Sequence, residues 1–210
     1  MHLSPAYLDH LARFIVPGQR KILGLVAPPG AGKSTLAEAM LAAFPGDIQI
    51  VPMDGFHLAN CQLARLGRSE RKGAPDTFDA AGFASLMRRI KAQREGEIIY
   101  APDFRRDLEE AVAGAIAVEA HTPLIITEGN YLLLDEGPWA EVRSALDEVW
   151  YLEVNDAVRQ QRLLERHMRF GRSQAQALAW VNLTDEPNAR RIAQTRHRAD
   201  RVVPWDEEQA

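Results

Sequence analysis

Ala27-Pro28-Pro29-Gly30-Ala31-Gly32-Lys33-Ser34-Thr35 follows directly on the apolar run Ile22-Leu23-Gly24-Leu25-Val26, and it limits what this chain can fold into more than any other stretch. Strand, tight loop and helix start in that order make a P-loop. Its backbone N–H groups point inward around phosphate oxygens, Lys33 reaches the β- and γ-phosphates, and the Ser34 hydroxyl can ligate Mg²⁺. Ala27 stands where glycine is commoner, one small residue for another. The expected phosphate contacts are Pro29, Gly30, Ala31, Gly32, Lys33, Ser34 and Thr35. A plain glycine-rich turn would not need the buried strand and helix that flank this one.

Further strands are predicted at Ile48–Met53, Leu124–Thr127, Val149–Leu152 and Arg201–Val203, separated by helical stretches. Ser4-Pro5 opens a helix that Pro17-Gly18 closes, and Asp79 caps a helix from Ala80 to Arg94 whose Phe83, Leu86, Met87 and Ile90 recur at helical spacing. Residues 55–79 read as loops and short helices. Glu97–Tyr100 and Ala115–Val118 read as short strands around a loop from Pro102 to Glu110. Strands alternating with helices give βαβ units. The expected fold is α/β, a three-layer P-loop NTPase fold with a five-stranded parallel sheet, helices on both faces and an arginine-rich lid. One domain over 1–210 is expected, with an acceptor-binding region near 54–110 and a lid near 156–172.

The 210 residues suffice for one core, and a net charge of −4 suggests no bulk attraction to nucleic acid or membrane. Met1–Tyr7 lacks the basic region and apolar run of a signal peptide, and no stretch approaches a membrane span, so a cytoplasmic protein is expected. Cys61 is the single cysteine. It can form no intrachain disulfide and reads as a buried small residue.

Ligands of parallel sheets bind beyond the carboxyl ends of the strands. The P-loop, Asp54 and Glu128 each come just after a predicted strand, so they converge. Phosphoryl transfer needs positioned phosphates, neutralised charge and an oriented nucleophile. Asp54 could orient an acceptor hydroxyl or take its proton, the alternatives being a cap or a water-mediated hold on Mg²⁺. Glu128 could hold the metal's water shell or a substrate hydroxyl, the alternative being a structural bond to the loop. Arg159, Arg162, Arg166 and Arg169 fall within an arc of ~80° on one helix. Such a stripe is either a solvated face or a lid closing over transferring phosphates, with Arg166 and Arg169 as its phosphate contacts. Ser173 and Gln176 form a capping box, which ends the lid near Gly171. His57 is a substrate-contact candidate beside Asp54, and His167 reads as structural.

Asp54-Gly55-Phe56, with Asn60, Leu63, Gly67 and Arg71-Lys72-Gly73-Ala74-Pro75-Asp76-Thr77-Phe78-Asp79, is similar to a segment of bacterial pantothenate kinases. With the P-loop, Glu128-Gly129 and the arginines, the chain resembles the phosphoribulokinase, uridine kinase and pantothenate kinase group of P-loop kinases over most of 20–175. The resemblance implies ATP and Mg²⁺ as cofactors and supports Asp54 at the acceptor hydroxyl. Ala101-Pro102 is followed by Phe104 and Arg106, where pantothenate kinases carry tyrosine and histidine. Gly73 stands where uridine kinases have a ribose-binding aspartate. Met53–His57 and Glu128–Leu133 look nearer to a small-kinase subgroup described as nucleoside- or nucleotide-kinase-like or as linked to fructose transport. Arg105 or Arg106 could meet an anionic acceptor or a phosphate, with Arg106 placed among the substrate residues. Pro187 suits a first helical turn, and Asn188 could contact adenine or substrate.

The reading is an ATP-dependent kinase for the hydroxyl of a small molecule. A fructose-like sugar is ranked ahead of a nucleoside or a pantothenate-like alcohol. No nucleic-acid or membrane partner is expected, and a homodimer is left open. The rival class is a GTPase-like regulator, for which Asn182-Leu183-Thr184-Asp185 is a near match to the guanine-reading motif with leucine in place of lysine. A relative that binds a metabolite without turning it over is the third reading.

Overall fold

The computed structural model describes residues 3–205, so Met1 and His2 of the stretch read above for a leader fall outside it. In chain order the elements are α1 (Pro5–Phe14), β1 (Lys21–Val26), α2 (Lys33–Ala43), β2 (Ile48–Ile50), α3 (Asn60–Arg65), α4 (Ala80–Lys91), β3 (Ile98–Arg105), β4 (Glu110–Glu119), β5 (Leu124–Glu128), β6 (Glu148–Glu153), α5 (Asp156–Arg169), α6 (Gln174–Trp180), α7 (Glu186–Ala193) and β7 (Arg201–Pro204). Among the described residues no helix is long and apolar enough to cross a membrane.

Five strands form one parallel sheet in the order β2-β5-β1-β6-β7. Side chains alternate between its faces. Ile22, Val26, Ile125, Val149 and Tyr151 join α4 in one apolar cluster, and Leu23, Leu25, Ile126, Trp150 and Leu152 join α1 and α2 in another. That is why residues 22–26 of β1 and 124–126 of β5 carry no polar side chain: a strand covered on both faces has no polar side. The expected three-layer α/β fold is therefore found.

Some local expectations give way. β2 stops at Ile50, and although the Val51 N–H still reaches the Ile126 carbonyl (2.9 Å), Pro52 has no N–H to extend the ladder. The chain then turns through a 3₁₀ segment, Met53–Phe56, that carries Asp54. α4 ends at Lys91, short of Arg94, where the Gln93 amide donates to the Glu97 and Val118 carbonyls and draws the chain into a turn. Residues 102–110 are mostly not a loop. β3 and β4 form an antiparallel hairpin closed by residues 106–109, with a register shift between Ala101 and Asp103 that absorbs Pro102. Cys61 is exposed on α3 rather than buried, because that short helix buries only Leu63.

Candidate active site

β1 runs into the P-loop, where Gly30 and Gly32 hold φ of +81° and +86° and so turn the chain into the amino end of α2. A Cβ on Gly30 would lie 2.4 Å from the Arg159 carbonyl oxygen, so the loop is seated against α5 without clearance. Lys33 Nζ donates to the Asn130 side-chain oxygen (2.6 Å) and to the Ala27 carbonyl (3.1 Å). Ser34 Oγ donates to Glu128 Oε1 (2.8 Å). Burial pushes Lys33 below the usual lysine range, against the attraction of Glu128 and Asp54. Glu128 is pushed above the usual carboxylate range by burial and then by the like charge of Asp54, against Lys33 and the Ser34 bond.

Asp54 is brought to the same edge by the turn after β2, and its carboxylate faces Arg106 Nη2 at 3.8 Å. Arg106 begins the hairpin turn, whereas Arg105 is held outside by Asp107 through two bonds of 3.1 Å. His57 Nδ1 lies 2.8 Å from the Asp54 carbonyl, which can only accept, so that nitrogen carries the proton. The ring is packed 4.0 Å from Phe78 and 4.7 Å from Phe104, centroid to centroid. Burial pushes His57 below the usual histidine range, against Asp54. Lys72 Nζ donates to Asn60 Oδ1 (2.8 Å) and the Glu109 carbonyl (2.5 Å) and sits 5.1 Å from the centre of the Phe104 ring. The segment after β5 supports this wall: Tyr131 donates to the Gly73 carbonyl and Trp139 to the Pro75 carbonyl.

The arginine stripe divides. Arg159 is buried and bonds Asp156 and both oxygens of Glu186, so it holds α5 to α7. Arg166 lines the cleft, whereas Arg169 is exposed and lies outside the cleft lining, so it is not at the position expected of a phosphate contact. Arg172 is in the lining instead, stacked 4.0 Å above Trp180 and bonded to His167 Nδ1, while His167 Nε2 meets Asp185 Oδ2. The Ser173–Gln176 capping box is formed as expected. Residues 182–185 lie in a π-helical turn between α6 and α7. The guanine-reading motif follows a strand, so its near match here is misplaced.

These parts enclose one cleft of about 300 Å³. Its lining includes Pro29, Gly30, Lys33, Ser34, Asp54, His57, Arg106, Glu128 and Arg166 from the expected set. Ala31 is buried behind the loop, and Thr35 faces a groove beside Leu3 and Leu8. Asn188 lines the cleft as well. Asn130, Lys72, Trp180, Thr184 and Asp185 were not anticipated as site residues. Asn130 had a signal, lying two residues beyond Glu128; Thr184 and Asp185 stood out only in the near match to a guanine-reading motif, and Trp180 had no signal, being brought in by the fold of α5–α7. Ser34 and Glu128 offer adjacent hard oxygens, a donor set that suits Mg²⁺. Among the described residues no three His, Cys, Asp or Glu could hold a metal by themselves, so an ion here needs phosphate and water oxygens too.

The model of the phosphoribulokinase / uridine kinase family matches residues 22–209. A Schizosaccharomyces pombe protein named "Putative uridine kinase C227.14" is 40% identical over 162 residues, 73% of this chain and 68% of that protein. The Escherichia coli K12 protein YggC is 35% identical over 197 residues, 91% of this chain and 81% of its own length. The crystal structure of a "putative fructose transport system kinase" from Silicibacter sp. TM1040 matches with a TM-score of 0.87 and 36% identity, covering 97% of this chain and all of that one.

Proposed function

The chain belongs to the phosphoribulokinase / uridine kinase family, and from that premise we propose that it transfers the γ-phosphoryl group of ATP to a hydroxyl of a small molecule, with a fructose-like sugar ranked first. The observation that carries the reading is the shared cleft: the P-loop and Asp54, which follow different strands, line one space with Lys33, Glu128 and Arg166. Lys33 and the loop amides hold the donor phosphates, and Arg166 stabilises charge on the group in flight. Asp54 orients the acceptor hydroxyl and takes its proton. Mg²⁺, held by Ser34 with Glu128 behind it, would offset phosphate charge when bound. His57 contacts the acceptor from its aromatic stack. The sugar ranking is supported by the likeness to the Silicibacter putative fructose transport system kinase. The family premise itself also admits a nucleoside or a pantothenate-like alcohol.

ADP release over a panel of sugars, nucleosides and pantothenate tests the reading, with fructose expected to give the largest rise above the acceptor-free rate. No rise with any acceptor would count against transfer to an alcohol. Asp54→Asn is expected to lower turnover by about 10²–10⁴-fold with nucleotide affinity nearly unchanged. Loss of both would make Asp54 a metal or folding residue instead.

A further inference from the structure

Arg106 differs from three other cleft cations, Lys33, Lys72 and Arg172, in how loosely it is held. Lys33 is fixed by Asn130 and Ala27, Lys72 by Asn60 and Glu109, and Arg172 by His167 and Trp180. The contact of Arg106 with Asp54, at 3.8 Å, is too long for a hydrogen bond, and about half of the side chain is exposed. Its backbone, by contrast, is tied at both ends of the hairpin. Gly55 is flush against the Pro102 carbonyl, and at the turn the Glu109 carbonyl accepts from both Lys72 and Asn60. Glu109 holds a φ of +53° in doing so, a conformation uncommon outside glycine. The fold thus places the root of Arg106 firmly and leaves its guanidinium able to move.

The cations near it show where that guanidinium can go. Lys33, Arg106 and Arg166 line the same cleft, so P-loop, hairpin and α5 bring three like charges to a common space, and after burial the charge of Arg106 is among the influences lowering both of the others. Such an arrangement favours a multiply charged anion among them. An anionic group on an acceptor would not need to meet Lys33, which belongs to the donor half.

We infer that Arg106 is a catalytic residue of the transfer step, leaving Asp54 to bond the γ-phosphoryl oxygens once nucleotide is bound and so freeing Asp54 for the acceptor. This rests on the kinase reading above. In the step, the acceptor oxygen bonds to Pγ, the bridging O–Pγ bond breaks and its electron pair leaves with ADP. The hydroxyl proton goes to Asp54.

Calorimetric binding of Mg·AMPPNP and Mg·ADP to wild type, Arg106→Gln and Arg106→Lys tests this without an acceptor. Arg106→Gln is expected to lose about tenfold in AMPPNP affinity, the scale of one charge-assisted bond, with ADP affinity within twofold and Arg106→Lys between. Equal effects on both nucleotides, or none, overturn the inference. A wild type that binds neither nucleotide overturns the kinase reading itself. Thermal unfolding midpoints matching wild type show that both variants are folded, and Arg106→Lys carries the test should Arg106→Gln unfold.

Discussion

A methyl group added to Gly55 would stand 2.3 Å from the Pro102 carbonyl oxygen and 2.7 Å from its carbon, where ordinary contact begins at 3.4 Å. Both obstacles are backbone atoms, so neither can rotate aside. Gly55 is not in the left-handed region, so Gly55→Ala carries no dihedral penalty and acts by displacement alone. The turn bearing Asp54 and the hairpin bearing Arg106 must part by about 1 Å, a misplacement that costs on the order of 10²-fold in rate when it separates catalytic groups. Overpacking of this kind costs about 1–3 kcal/mol of stability. Coupled ADP release gives kcat/KM, and urea unfolding gives the stability change. Mg·ADP affinity should stay within about twofold, because Lys33 and Ser34 sit on α2, outside the displaced join. A kcat/KM within threefold of wild type, with an unchanged urea midpoint, would show that the Gly55–Pro102 approach sets neither Asp54 nor Arg106.

Other perturbations follow from the same contacts. The native His57 ring resists the proton that the unfolded ring takes up near pH 6.5. Stability should therefore fall as pH drops below about 6.5, by at most ~1.4 kcal/mol per unit. The stability advantage of wild type over His57→Gln, from urea midpoints, should shrink between pH 7.5 and 5.5; a constant difference would contradict this. Tyr131→Phe removes the donor to the Gly73 carbonyl and should cost about 0.5–1.5 kcal/mol in thermal or urea unfolding. Arg159→Met leaves Glu186 partnerless in a nearly buried position, and unfolding stability should drop by about 3 kcal/mol; an unchanged midpoint would make the pair dispensable.

Much of this was legible in the sequence, for physical reasons. The P-loop and the doubly covered strands announce themselves, since a strand buried on both faces is apolar along most of its length. Asp54 and Glu128 could be placed at one edge because each follows such a strand. Strand order could not be read, since β1 lies between β5 and β6 through crossovers that leave no local trace. The hairpin was underestimated because Pro102 reads as a strand breaker, whereas a register shift accommodates it. Among the arginines, helical spacing gave a common face but not its neighbour. Arg159 meets Glu186 from a distant helix, and Arg169 meets solvent. Arg172, past the end of α5, fell outside the helical pattern and yet reaches the cleft.

The seat of Gly30 against the Arg159 carbonyl also bears on how the chain can change in length. Only Val154 and Asn155 separate the end of β6 from the start of α5. A residue inserted into the first turn of α5, ahead of Arg159, would turn the rest of that helix by about 100° relative to its cap at Asn155. The carbonyl that Gly30 rests on would swing away, and Arg166 would turn out of the cleft with it. Such an insertion would remove both the floor of the phosphate loop and the charge above it while leaving every motif intact. The spacing from the α5 cap to Arg159 is thus as strict a requirement for phosphate binding as the glycine itself.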